Sequence, residues 1–400
     1  MHPLMGRRYS SAISRRTLLI AGTVAVIAPT GLVGCAQSPA ASEKGTARQN
    51  SGSLEGVVFT STGATFSPVL ELAAGATAPV IWLDEAGSEL ARGTSPTIAF
   101  GSAGIRRVLM ATAFADVLTV NLGFSSQDDR GKYSLDSRYN KQAESVSGVS
   151  GLGLLTNLRR FLAGRTELGG SLDVSGLEQL EHLECYDARL ESVDLTRCNS
   201  LVRLNLELNR LRALDLNPVA ASLRDLRAAE QESGALEFAR LEQPLARLYH
   251  FCVRDQVVKG HPDSSQLPVC EELWNWNCAQ TGVFPTPGGA HSVMAAGNSY
   301  TSVDLAGQWT YEGGWGTLDL TNNRVTTVTI TGCRSLQTIR LGGNALSQDE
   351  VDKVLAEVAS WGTGGFEIAL DGRNPPPSPA GLQSAAALRG RGWKVLLASP

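Results

Sequence analysis

Apolar residues recur at fixed intervals through the middle of the chain. The stretch LEHLECYDARLESVDLTRCNSLVRLNLELNRLRALDL, residues 180–216, lies on itself when shifted by 21 residues: Leu180 meets Leu201, Leu183 meets Leu204, Leu190 meets Leu211 and Leu195 meets Leu216. A period in the twenties marks a solenoid, each turn adding one supersecondary unit to a continuous core. Within a turn, x-L-x-L-x predicts a short strand with leucines pointing in and the intervening residues out. Turn starts are read at Leu180, Leu201, Leu223, Leu245, Cys270, Ala290, Trp315 and Leu336, with loops inserted near 260–268 and 307–314. The array is thereby placed at about 150–346.

The patterning changes on either side. Short apolar runs at 54–59, 69–72, 79–83, 97–100, 105–110 and 118–122 alternate with turn residues, which predicts a small β-sandwich over 54–124. A polar linker is expected at 125–149. Asp128 and Asp129 lie in it without the regular ligand spacing of a calcium loop. After the array, Ser347 and Glu350 have the form of a helix cap. Val351, Val354, Leu355 and Val358 follow as a helical stripe, and Phe366, Ile368 and Leu370 alternate as a strand. A helix near 382–388 and a strand near 393–397 complete a C-terminal cap over 347–400. The expected class is mainly β with some α: a solenoid with a helix-and-strand cap, preceded by a sandwich.

The motif in the turns, L-x-x-L-x-L-x-x-N-x-L, resembles the short leucine-rich repeats of bacterial surface proteins. Asn209, Asn298, Asn323 and Asn344 fill its asparagine position, where a buried amide bonds backbone groups of adjoining turns. Asp173, Asp194, Asp215 and Asp304 recur beside the second short strand and read as a solvated face. Residues Trp82, Asp84, Gly87, Phe100, Gly104 and Val108 resemble a PKD-type immunoglobulin-like domain, which implies a spacer.

The N-terminus has the layout of an export signal over 1–34. Ser14-Arg15-Arg16-Thr17-Leu18-Leu19 resembles the twin-arginine motif, and an apolar run near 18–33 ends in Leu32-Val33-Gly34-Cys35, which resembles a lipobox. That resemblance implies lipid attachment at Cys35, a flexible tether over 35–53, and anchoring to the bacterial cell envelope. By resemblance to known sorting rules, Ala36 after the cysteine implies the outer membrane if the cell is Gram-negative. Cys185 and Cys270 fall at leucine positions, Cys278 at an asparagine position, and Cys198 and Cys333 share one slot. They read as reduced structural thiols, with a Cys270–Cys278 bridge as the alternative.

Outward positions locate a ligand surface. In this register Arg247, Tyr249 and Phe251 face out from one turn, and Glu272, Trp274 and Trp276 from the next. Adjacent strands lie about 4.8 Å apart, so Tyr249, Phe251, Trp274 and Trp276 form one aromatic patch edged by Arg227, Arg247 and Glu272. Exposed aromatic clusters mark binding sites. The alternative is that an inserted loop buries these rings. His250 falls at an inward slot and reads as a core histidine.

No G-x-S-x-G, H-E-x-x-H or G-x(4)-G-K occurs, and Gly151-Leu152-Gly153 lacks the third glycine of a dinucleotide loop. No zinc spacing appears. A net charge of −4 with no strongly basic half argues against nucleic acid as partner. The reading is a non-catalytic envelope lipoprotein, without metal or cofactor, that binds a protein or glycan through the concave face of its repeats. The alternatives are a structural envelope scaffold and a glycan-processing enzyme.

Overall fold

A computed structural model describes residues 56–125, 141, 143–306, 309 and 316–399. The segment read as an export signal, the expected tether with Cys35, and Asp128, Asp129 and Trp315 lie outside the described residues. The protein is mainly β: a leucine-rich-repeat solenoid closed by two helix-and-strand units and preceded by a small N-terminal sheet region.

The repeat period produces one 13-stranded sheet. Its strands include Arg160–Leu162, His182–Glu184, Arg203–Asn205, Asp225–Arg227, His250–Cys252, Glu272–Trp274, Ser292–Met294, Gly316–Asp319 and Leu336–Arg340, all parallel. The middle residue of each three-residue strand points inward. Leu183, Leu204, Leu226, Phe251 and Leu273 stack as neighbours in register and are fully buried.

Phe251 corrects the expected register. Turn four starts at Leu248, not Leu245. Leu245 occupies the preceding apolar slot, the one that Cys198 and Cys333 fill in other turns, and Leu245 and Leu248 are both fully buried. The two leucines satisfy the same L-x-x-L spacing, so the pattern alone admits either alignment. A three-residue slip is odd, and an odd slip exchanges inward and outward positions. Phe251 is therefore core, packed against Phe238 and His261 at 5.8 and 5.2 Å between centroids, and His250 faces out.

The asparagine ladder runs down the turns. Asn209 accepts from the backbone N–H groups of Ala188 and Leu190 and donates to the carbonyls of Cys185 and Leu206. Asn298, Asn323 and Asn344 repeat the scheme. Gln231 and Gln256 fill the slot in two turns, and Asn374 continues it beyond the array. Cys278 occupies it with its thiol donating to the Val253 carbonyl. The recurring aspartates lie on a solvated face, as expected, and also close turns: Asp173, Asp194, Asp215 and Asp304 are exposed and each accepts from the backbone N–H two residues on.

The C-terminal segment extends the sheet. Strands Glu367–Leu370 and Lys394–Leu397 join it in parallel after Leu336–Arg340, with α1 (Gln348–Ser360) and α2 (Pro379–Gly390) as their crossovers. The stripe Val351, Val354, Leu355 and Val358 is buried. Ser347 caps α1 by accepting from the Glu350 N–H. Glu350 does not complete the capping box; its carboxylate accepts from the Val328 N–H.

At the other end, a five-stranded antiparallel sheet runs in the order Glu89–Arg92, Ile81–Leu83, Arg106–Ala111, Val57–Ser61, Val146–Ser150. Trp82 is fully buried with Phe59 and Phe66, centroids 5.6–5.9 Å apart. Two features depart from the expected sandwich-plus-linker. Val146–Ser150, read as linker, pairs with Val57–Ser61. Val117–Asn121 belongs to the solenoid's own sheet, parallel to Arg160–Leu162 and antiparallel to Val69–Leu72.

Candidate binding surface

Outward side chains of the parallel strands form a strip across the outer face of the 13-stranded sheet, the face expected to be concave. The first positions carry Arg160, His182, Arg203, Asp225, His250, Glu272 and Ser292; the third carry Leu162, Glu184, Asn205, Arg227, Cys252, Trp274 and Met294. Parallel register places each beside its counterpart one strand away.

At the centre, His250 Nδ1 donates to Asp225 Oδ1 at 2.6 Å. Arg227 Nε donates to the same carboxylate at 3.3 Å. Burial opposes ionisation of Asp225, but the bonds from His250 and Arg227 hold its carboxyl below the usual range. The His250 and Trp274 rings make a T-shaped contact with centroids 4.8 Å apart, and His250 Nε2 lies 3.9 Å from Glu272 Oε2. Glu272 Oε1 is 3.7 Å from His291 Nε2.

Trp274 and Trp276 are half-buried, with centroids 6.3 Å apart. Trp274 Nε1 donates to Ser292 Oγ at 3.4 Å, and Trp276 Nε1 to Asp255 Oδ2 at 3.0 Å. The Arg254 guanidinium stacks 5.2 Å from the Trp276 centroid, within cation–π range. Arg254 is also paired with Glu230 and Asp255.

The strand His182–Glu184 carries two groups driven in opposite directions. Burial, with Arg203 and Arg160 nearby, lowers His182 to about 3; its Nε2 accepts from Arg203 at 3.0 Å. Burial raises Glu184 to about 7, against the pull of Ser125, Arg227 and Arg203.

The structure brings together part of the expected patch. Trp274, Trp276, Glu272 and Arg227 lie on the strip. Tyr249 is half-buried just ahead of its strand, with the charges of Asp225, Arg203, Arg227 and Glu272 in range. Phe251 is in the core, and Arg247 is an exposed residue of the preceding loop, so neither joins the strip. Asp225, His250, Arg254 and Met294 complete the surface. All but Met294 belong to turns whose alignment or pairing depends on the slip at Leu245.

Among the described residues no serine, threonine or cysteine side chain hydrogen-bonds to the histidine of the Asp225–His250 pair. His250 Nε2 has no hydrogen-bond partner. The neighbouring Cys252 thiol contacts Glu207 at 3.7 Å instead, and burial pushes it well up from the ordinary thiol range. All six cysteines among the described residues are free and buried. Cys270 and Cys278 donate to different carbonyls, those of Glu272 and Val253. Among the described residues no three His, Cys, Asp or Glu side chains gather into a metal-ligand set, and no helix is long and apolar enough to cross a membrane.

No protein-family model and no curated protein matches the chain. Among solved structures it is similar to a leucine-rich-repeat protein of Leptospira interrogans, at 20% identity and a TM-score of 0.41, covering 56% of this chain and 58% of that one. It is also similar to an internalin from Listeria monocytogenes, at 14% identity and a TM-score of 0.34, covering 64% and 84%. The first match thus spans a little over half of that protein's own length. The repeat architecture rests on strand register and the amide ladder, not on these likenesses.

Proposed function

We propose that this chain is a non-catalytic binding protein of a bacterial cell envelope, which recognises a protein or a glycan through the concave face of its repeats. The observation that carries this reading is the half-buried Trp274–Trp276 pair, held on a charged strip whose members fix one another by hydrogen bonds. A rigid, partly exposed aromatic floor with a polar rim is the anatomy of a recognition hot spot. The twin-arginine-like segment and the lipobox-like run before Cys35 support export and lipid anchoring. The PKD-like region then serves as a spacer at the anchored end.

The test is capture of a partner from cell-envelope and host-surface extracts by residues 54–400, beside a Trp274→Ala/Trp276→Ala variant shown to be folded. A partner captured only by the unmutated protein supports the reading. Equal capture by both moves recognition off this face. Metabolic lipid labelling tests the anchor: it is expected to vanish in Cys35→Ala, and persistence would remove that part of the proposal.

A further inference from the structure

Glu271 and Glu272 stand out on the aromatic half of the strip. Neighbouring carboxylates are matched by guanidinium groups: Asp225 by Arg227, Glu230 and Asp255 by Arg254, Asp319 and Glu367 by Arg340. Among the described residues neither Glu271 nor Glu272 has a lysine or arginine within ion-pair distance; each meets only histidine. Their side chains remain 50% and 32% exposed.

A second observation comes from the buried side. His250 is 1% exposed and uses its Nδ1 hydrogen on Asp225. Its other ring nitrogen, Nε2, has no hydrogen-bond partner. It faces Glu272 Oε2 across 3.9 Å. A buried ring nitrogen without a partner and a part-exposed carboxylate thus face one spot, and an unmet buried polar atom is costly.

The geometry points to an arginine side chain of a partner protein as the occupant of this spot. This rests on the concave-face reading above and names the chemistry that face selects. A guanidinium has several donors in a planar fork. One N–H donates to Glu272 beside His250 Nε2, and a second reaches Glu271. The aliphatic stem and planar head lie along Trp274 and Met294, which are adjacent in register and half-buried. A lysine supplies the charge but not the fork, so it binds less well.

The test is calorimetric titration of the full chain with a synthetic (Arg-Ala)4 peptide, and with counterparts carrying lysine or the uncharged isostere citrulline. Free arginine amide separates a protein segment from a small molecule as the source. Expected are binding of the arginine peptide, about tenfold weaker binding of the citrulline peptide, and weaker binding still of the free amide. Glu271→Gln/Glu272→Gln, a near-isosteric change at exposed positions, is expected to weaken the arginine peptide by about tenfold or more and to leave the citrulline peptide unchanged. Trp274→Phe is expected to lose the change in indole emission on binding.

Equal binding of arginine and citrulline peptides, or indifference to the double glutamine variant, overturns the assignment. If extract capture depends on Trp274 and Trp276 but the arginine peptide does not bind, the concave face stands and the arginine assignment falls. If neither depends on these residues, both fall.

Discussion

Two neighbours on one strand carry opposite proton linkages. The folded-state pKa of Glu184 is raised to about 7 by burial. Its contribution to stability is therefore complete below its unfolded value and is lost as pH rises through about 7. His182 is lowered to about 3, so its contribution is complete above its unfolded value near 6.5 and is lost as pH falls toward 3. Glu184→Gln is therefore expected to raise Tm relative to the parent progressively between about pH 5 and 8. His182→Gln is expected to gain on the parent only as pH falls below about 6.5. Thermal melts across that range check both, and pH-independent differences would contradict the buried environments of these side chains. Neither shift was legible in the sequence, because period alone places both residues outward, and outward normally means solvated. The slip at Leu245 is the same kind of limit. Leu245 and Leu248 are chemically identical candidates three residues apart. Only the pairing of Phe251 with Leu226 and Leu273 decides between them.

At the level of the elements, the turns are joined by side-chain amides as much as by strand pairing. Asn209 satisfies two backbone donors and two carbonyls that are all buried between turns. Asn209→Ala leaves those groups unmet. It is expected to cost about 2–4 kcal/mol in chemical denaturation, more than a single exposed hydrogen bond, because unpaired buried groups retain their full desolvation penalty. A loss below about 1 kcal/mol would show that the ladder is not structural. The asparagine members were legible from their spacing. Gln231 and Gln256 were not, since a side chain one methylene longer does the same work from the same slot without matching the motif. Asn374 was hidden because it stands directly before Pro375-Pro376-Pro377, outside any recognisable repeat motif. In the structure it closes a further turn, so the segment expected as a separate cap adds two units to the same sheet.

At the scale of the molecule, the N-terminal layer and the repeats share a core and a sheet. Beyond the pairing of Val117–Asn121 with Arg160–Leu162, the Leu122 N–H donates to the Leu162 carbonyl at 2.7 Å and the Glu167 N–H to the Val146 carbonyl at 3.0 Å. Val120, Leu122, Leu158 and Phe161 are buried among these contacts. A solenoid end left open exposes its core, and stability in such arrays passes from neighbour to neighbour. The sandwich-like spacing at 54–124 was readable, but its role in closing the first turn was not, because alternating apolar residues do not reveal which sheet a strand joins. The layer is therefore expected to melt with the repeats. Trp82→Ala, made in the N-terminal core far along the chain from the repeats, removes a fully buried ring. It is expected to cost about 3–5 kcal/mol and to lower the midpoint of one transition for the whole of residues 54–400. Calorimetry and backbone dichroism should then report coincident midpoints. An early, small transition split from an unshifted main one would show instead that the N-terminal layer unfolds on its own. In that case the repeats would be closed at this end by the pairing of Val117–Asn121 alone.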